Sequence, residues 1–244
     1  MFGPPRPFER GVQGRPTLVN NVETLAHLAL VARFGADWYR GLGTTDGPGS
    51  VLVTFSGDVA RPGVYELAAG IPLVEALRAA GAGADPRAVL VGGYFGVWVS
   101  GDVIPKVTLD SVSLGRVGAS LGCGALAVLG PRACGLQETA AICGWLAGQS
   151  AGQCGPCSNG LPAIADAVAA LAAGDRGHRW EKQLRRWLDM VEGRGACRHP
   201  DGAARFVRSA LSVFATEIER HRRHGPCGAR PTGLPIPDVH GNWR

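Results

Sequence analysis

The sequence has no run of about 18 uninterrupted apolar residues, which excludes a helix long enough to cross a membrane. Its opening, MFGPPRPFER, carries no apolar stretch after the first charge and does not read as a secretory leader. Aromatic residues are scarce, at 7% with three Tyr, and few of them lie among the basic residues. That removes the stacking surface a nucleic-acid strand needs, so nucleic acid is not an expected partner. No GxGxxG-type glycine loop occurs, so nothing marks a phosphate cradle for a dinucleotide. The expectation left by these absences is a soluble, cytoplasmic protein.

What is present sets the scale. With 244 residues, 45% of them hydrophobic, the chain can bury one large core or two small ones. Its 37 Gly and 17 Pro predict many turns and short elements. The net charge of +5 is unevenly placed: residues 176–224 carry twelve Lys/Arg against six Asp/Glu, while residues 1–175 are slightly acidic. A basic segment of that kind suits an acidic protein partner, or is simply a solvated helix face. Seven Cys, an odd number in a chain without a leader, favour metal binding or redox chemistry over a disulfide framework.

The pattern divides the chain into five stretches. Residues 1–47 hold a Pro-rich lead-in, then an amphipathic helix from Asn20 to about Tyr39 whose stripe includes Val22, Leu25 and Leu28. Residues 48–115 alternate as strand, turn, strand, helix, strand, strand, with Pro72 at the helix start and Gly81 as its stop. A unit cut there is expected to fold on its own. Residues 116–130 are a connecting strand or loop. Residues 131–224 turn helical, over about 132–149, 157–173, 178–192 and 201–223, which predicts four helices in a bundle. Residues 225–244 read as a flexible tail. The fold class expected is therefore α+β, a small sheet domain followed by a helical one.

Chemistry concentrates at Cys154-Gly155-Pro156-Cys157, at a helix start. Two thiols there share a metal or form a disulfide, and the helix dipole favours their charged form. Cys197 lies in the Gly-rich loop Gly193-Arg194-Gly195-Ala196-Cys197, which can wrap closely round an inorganic centre. His199 is a further candidate ligand. Cys123, Cys134 and Cys143 have apolar surroundings and read as core fillers. Cys227 reads as a free exposed thiol, and His221 and His224 as surface.

Three blocks then resemble a known family. Gly14-Arg15-Pro16-Thr17-Leu18-Val19-Asn20-Asn21-Val22-Glu23-Thr24-Leu25 resembles a segment of the flavin-carrying, NADH-oxidising F subunit of respiratory complex I and of related diaphorase subunits. Ser56-Gly57-Asp58-Val59, with Arg61-Pro62-Gly63-Val64-Tyr65-Glu66 and Val91-Gly92-Gly93, is similar to the soluble-ligand-binding β-grasp domain that follows it there. Ser150–Cys157 and Gly195-Ala196-Cys197 resemble that family's helical iron–sulfur domain. The resemblance implies an electron-transfer module in which Cys154, Cys157 and Cys197 hold an iron–sulfur cluster, 4Fe–4S or 3Fe–4S. It implies that Asn20 and Asn21 contact flavin if a flavin domain is supplied, residues 1–47 being a remnant of that domain's edge. FMN and NAD would then reach this chain only through another domain, and the chain alone is not expected to oxidise NADH. Other dehydrogenase subunits, or an acidic ferredoxin-like carrier meeting the basic segment, are the implied partners, at a site in the cytoplasm or peripheral to a membrane complex.

The sequence departs from the family at two places. Ala151 stands where the family has the first cluster Cys, leaving three thiols to be completed by His199, Ser150, water or another Cys. Ser158 replaces an Arg after the last clustered Cys. Two rival readings follow: a ligand-binding or docking module that has lost its cluster, and a dithiol redox protein built on the CGPC motif.

Overall fold

The computed structural model describes residues 5–175, 179–229, 234 and 236, so most of the stretch read as a tail lies outside the described residues. Asn21 caps α1 (Val22–Phe34), its side-chain oxygen accepting the Thr24 N–H at 2.8 Å, where the first-turn N–H groups have no helical acceptor. Gly35, at φ 87°, ends α1 before α2 (Ala36–Arg40), so the single helix read to Tyr39 is two. The apolar stripe of α1 lies open: Val22, Leu25 and Leu28 are 80%, 51% and 55% exposed. Polar links tether the helix to the sheet. Glu23 accepts the Leu52 N–H at 2.8 Å, and His27 Nε2 lies 3.3 Å from Ser50 Oγ.

Strands β1 (Ser50–Gly57), β2 (Gly63–Ala68), β3 (Ala88–Val91), β4 (Val97–Ser100) and β5 (Ala125–Leu129) form one mixed sheet in the order β2-β1-β5-β3-β4. β5 runs parallel to β1, with Phe55 opposite Leu126, and antiparallel to β3, with Val89 opposite Val128. The stretch read as a connection thus supplies the central strand, and a unit cut at residue 115 leaves it out. β3 and β5 are apolar on both faces because both faces are covered. Val89, Val91, Leu126 and Val128 pack with Leu73, Ala76 and Leu77 of α3 (Leu73–Ala79). Leu90, Trp98, Ala127 and Leu129 face the C-terminal helices instead.

Those helices are α5 (Gly135–Gly148), α6 (Leu161–Ala172), α7 (Trp180–Val191), α8 (His199–Val213) and α9 (Ala215–His224), with α4 (Ser111–Arg116) back in the sheet layer. The last helix read from sequence is divided at Phe214. In α7 the 4- and 3-residue spacing of Leu184, Leu188 and Val191 puts all three in the core. Trp98 joins the layers: its ring meets Phe214 at 5.3 Å edge-on and Phe206 at 6.3 Å, and its backbone N–H donates to Ser209 Oγ at 2.9 Å. Sheet and helices share a buried core.

Candidate metal centre

Cys154 stands just before a wide, π-helical turn, Pro156–Gly160, that runs into α6. The Cys154 carbonyl accepts the N–H groups of Cys157 at 3.1 Å and Ser158 at 2.9 Å. The turn buries Cys157 and leaves Cys154 partly open. The element ahead of the motif is α5, a helix; the dithiol reading needs a buried strand there.

The loop between α7 and α8 closes over this turn. Gly193, at φ 71°, donates its N–H to Asp201 at 2.8 Å, and Arg198 pairs with the same carboxylate at 2.8 Å. The backbone N–H groups of Ala196, first, and of Cys157 lie close enough to the Cys154 thiol to hold its pKa below the ordinary thiol value. Cys157 is pushed up to about 11, first by burial, then by its hydrogen bond and charge with Cys154, then by the charge of Cys197. The fold therefore brings Cys154, Cys157 and Cys197 to one place, with Cys197 on the exposed side.

The remaining candidates separate. Ala151 is exposed and offers no ligand atom. Ser158 donates its hydroxyl to the Gly152 carbonyl at 2.8 Å, bracing the stretch of chain before Cys154. His199 Nε2 lies 2.9 Å from the Leu146 carbonyl, which can only accept, and its ring stands edge-on to Phe95 at 5.2 Å. That ring nitrogen is committed to a structural bond. Asn20 and Asn21 are both exposed, and the Asn21 side chain serves as the α1 cap.

Two cysteine and histidine readings need correction. Cys143 is buried in the core as expected, and its burial raises its pKa, but Cys123 is exposed. His221 is fully buried rather than surface-lying. Cys227 is a free, exposed cysteine as read, but it is not isolated: its sulfur, the Cys134 sulfur, a Glu217 carboxylate oxygen and a His221 ring nitrogen all lie within 4.8 Å of one another. The sequence carried one signal for this. Phe214, Ile218 and His221 follow the 4- and 3-residue steps of a single helical face, which aims His221 inward with its apolar neighbours.

The basic segment is less free than its composition suggests. Arg185 pairs with Glu181 at 2.9 Å, Arg208 with Asp189 at 2.6 Å and Glu192 at 3.0 Å, and Arg222 with Glu219 at 2.8 Å. Arg222 and Arg223 together draw the Glu219 pKa down to about 2. Arg186 and Arg194 are exposed and pair with no described acid. No helix among the described residues is long and apolar enough to cross a membrane.

Comparison with known proteins agrees with this layout. Residues 133–221 match the NADH-ubiquinone oxidoreductase-F iron-sulfur binding region, and residues 52–93 match the SLBB domain. The NADH-quinone oxidoreductase F 2 subunit of Rhizobium meliloti (strain 1021) is 34% identical over 232 residues, covering 92% of this chain and 54% of that protein. The NADH-quinone oxidoreductase F subunit of Streptomyces coelicolor (strain ATCC BAA-471 / A3(2) / M145) is 32% identical, covering 89% and 49%. Among solved structures, an NAD+-reducing [NiFe]-hydrogenase in the H2-reduced state aligns with a TM-score of 0.76 and 30% identity, over 94% of this chain and 39% of that one. The chain spans about half the length of the curated relatives it matches. Both regions match in order, so this chain carries an SLBB domain followed by an iron–sulfur binding region of the kind found in NADH-quinone oxidoreductase F subunits, to which it is similar over most of its length.

Proposed function

We propose that this chain is the electron-transfer part of an F-subunit-like NADH dehydrogenase, with a β-grasp domain beside a helical bundle that holds an iron–sulfur cluster through Cys154, Cys157 and Cys197. The observation that supports the reading is the meeting of the CxxC turn and the Cys197 loop, where Cys157 feels the charge of both Cys154 and Cys197 and the Ala196 N–H lies near the Cys154 thiol. Three soft thiols fit such a cluster. The cluster is read as 4Fe–4S, its fourth position taken by a non-cysteine ligand because of Ala151; a 3Fe–4S centre needs only the three thiols.

A bound cluster would take and release electrons singly. The chain's own residues set the conditions for that. N–H donors at Cys154 stabilise negative charge on sulfur, and so raise the tendency to accept an electron. Burial on the Cys157 side keeps water away. The exposed Cys197 side leaves an approach for a partner. Arg194, on the Cys197 loop, offers positive charge near that approach, suited to an acidic ferredoxin-like carrier or another dehydrogenase subunit, in the cytoplasm or on the periphery of a membrane complex. Flavin and NADH chemistry belongs to a domain beyond these residues, with Asn20 and Asn21 facing it, and the chain alone does not oxidise NADH.

The test is iron and acid-labile sulfide per chain in anaerobically purified protein. Wild type is expected to hold both, and Cys154→Ser, Cys157→Ser and Cys197→Ser each to lose most of it, while Cys143→Ser keeps it. Colourless, iron-free wild type would overturn this reading and leave the docking module that Ala151 motivates.

A further inference from the structure

We infer that Cys134, Glu217, His221 and Cys227 form a second metal site, apart from the cysteines of the cluster loop, that takes a single zinc ion. The four ligand atoms lie within 4.8 Å of one another. A tetrahedral zinc with bonds of about 2.0–2.3 Å sets its ligand atoms roughly 3.3–3.8 Å apart, so small adjustments, some inward and one outward, fit the set to the ion. Cys134 Sγ is already 2.9 Å from Glu217 Oε1 and 3.8 Å from His221 Nε2.

The imidazole is oriented for the task. His221 Nδ1 lies 2.9 Å from the Ala172 carbonyl oxygen, an acceptor only, so Nδ1 carries the proton. The Cys227 N–H donates to Nε2 from 3.3 Å, which requires a lone pair there; zinc would take that lone pair, and the N–H of this exposed residue would turn to solvent. A histidine whose second nitrogen donates to a backbone carbonyl, with the first turned to a cluster of thiols, is arranged as metal-binding histidines are.

Charge is balanced as well. Glu217 is held by an ion pair with Arg87 and by the Leu136 N–H at 3.1 Å. Two thiolates and a carboxylate, set against Arg87 and a divalent ion, sum to zero in a pocket where Cys134, Glu217 and His221 are all buried. Two sulfurs and an imidazole select zinc over magnesium or calcium, and four protein ligands close the coordination shell, the mark of a structural site. Binding would send the two thiol protons to solvent, including the one Cys134 shares with Glu217. The ion would tie α9 and the segment after it to Cys134, the residue that caps α5 at the end of the central strand.

The experiment uses the full chain in a Cys154→Ser/Cys157→Ser background, which removes the other thiol pair able to capture zinc; circular dichroism checks its fold. After chelator treatment, zinc and cobalt are each added in equimolar amount. The expected result is one zinc per chain, the visible spectrum of tetrahedral thiolate-bound cobalt, and a rise in Tm with zinc. Adding Cys227→Ser, at an exposed residue whose loss does not burden folding, should abolish all three, and His221→Gln should do the same. Zinc binding unchanged by both substitutions would overturn the site. So would a Cys134–Cys227 disulfide in anaerobically prepared protein that persists in place of metal. Loss of iron, rather than zinc, from Cys227→Ser in the otherwise wild-type chain would also overturn it, and would move the cluster ligands here.

Discussion

A methyl group built on Gly195 would sit 2.7 Å from the Cys197 carbonyl oxygen and 2.8 Å from Pro200 Cγ, closer than real Cβ atoms approach. Neither neighbour is the free end of a long side chain, so the loop itself must shift. Gly195→Ala is therefore expected to draw Ala196 away from the Cys154 sulfur and to lower iron per chain several-fold. Gly155→Ala, where a Cβ meets nothing within 4 Å, should leave iron unchanged; equal loss from both would show that the effect is not steric. At this scale the sequence was legible where spacing carries the message: the CxxC motif lies at a helical turn and Cys197 in a loop between two helices. It was misleading where neighbours were taken as surroundings. His221 lies among arginines in sequence, yet its side chain leaves them for the core because helical geometry, not adjacency, decides its environment.

Among the elements, α4 shows how a short helix is fixed by its cap. Asp110 accepts the Ser113 N–H at 2.8 Å and pairs with the Thr108 hydroxyl, while Ser113 Oγ accepts the Thr108 N–H at 2.9 Å. The Ser113 N–H, then the Thr108 hydroxyl, hold the Asp110 carboxyl below the usual range. Because the folded value is the lower one, the stabilisation is full above the unfolded value of about 3.9 and is lost as pH falls through the folded value. Asp110→Ala is expected to cost about 1 kcal/mol in urea unfolding at neutral pH, a gap that narrows below about pH 4. A gap that stayed constant into acid would show the loss to be one of packing. Element positions were mostly readable from period and glycine; β5 was legible as a possible strand, but its central place in the sheet was not. Five apolar residues suit an edge, a loop or a centre equally, and its partners β1 and β3 come from far back in the chain.

For the whole molecule, that central strand changes what can stand alone. A fragment of residues 48–115 keeps four strands but leaves β1 and β3 with unpaired ladder groups where β5 belongs. It is expected to give a broad, non-cooperative thermal transition by circular dichroism, and a sharp melt like that of the full chain would refute this. Extending it to residue 130 restores the sheet yet bares Leu90, Trp98 and Leu129, which pack on the helices. The boundary between the two regions is thus a line in the sequence with no matching gap in the core.

The open stripe on α1 has a consequence for the molecule in concentrated solution. Val22, Leu25 and Leu28 hold water against apolar surface, and sulfate, which is excluded from such surface, makes that contact dearer still. The chain should salt out at low ammonium sulfate concentration despite its net charge of +5, with turbidity rising earlier as sulfate is added. Leu28→Lys should move the precipitation midpoint upward while leaving the melting temperature where it was, since more than half of that residue already stands in water.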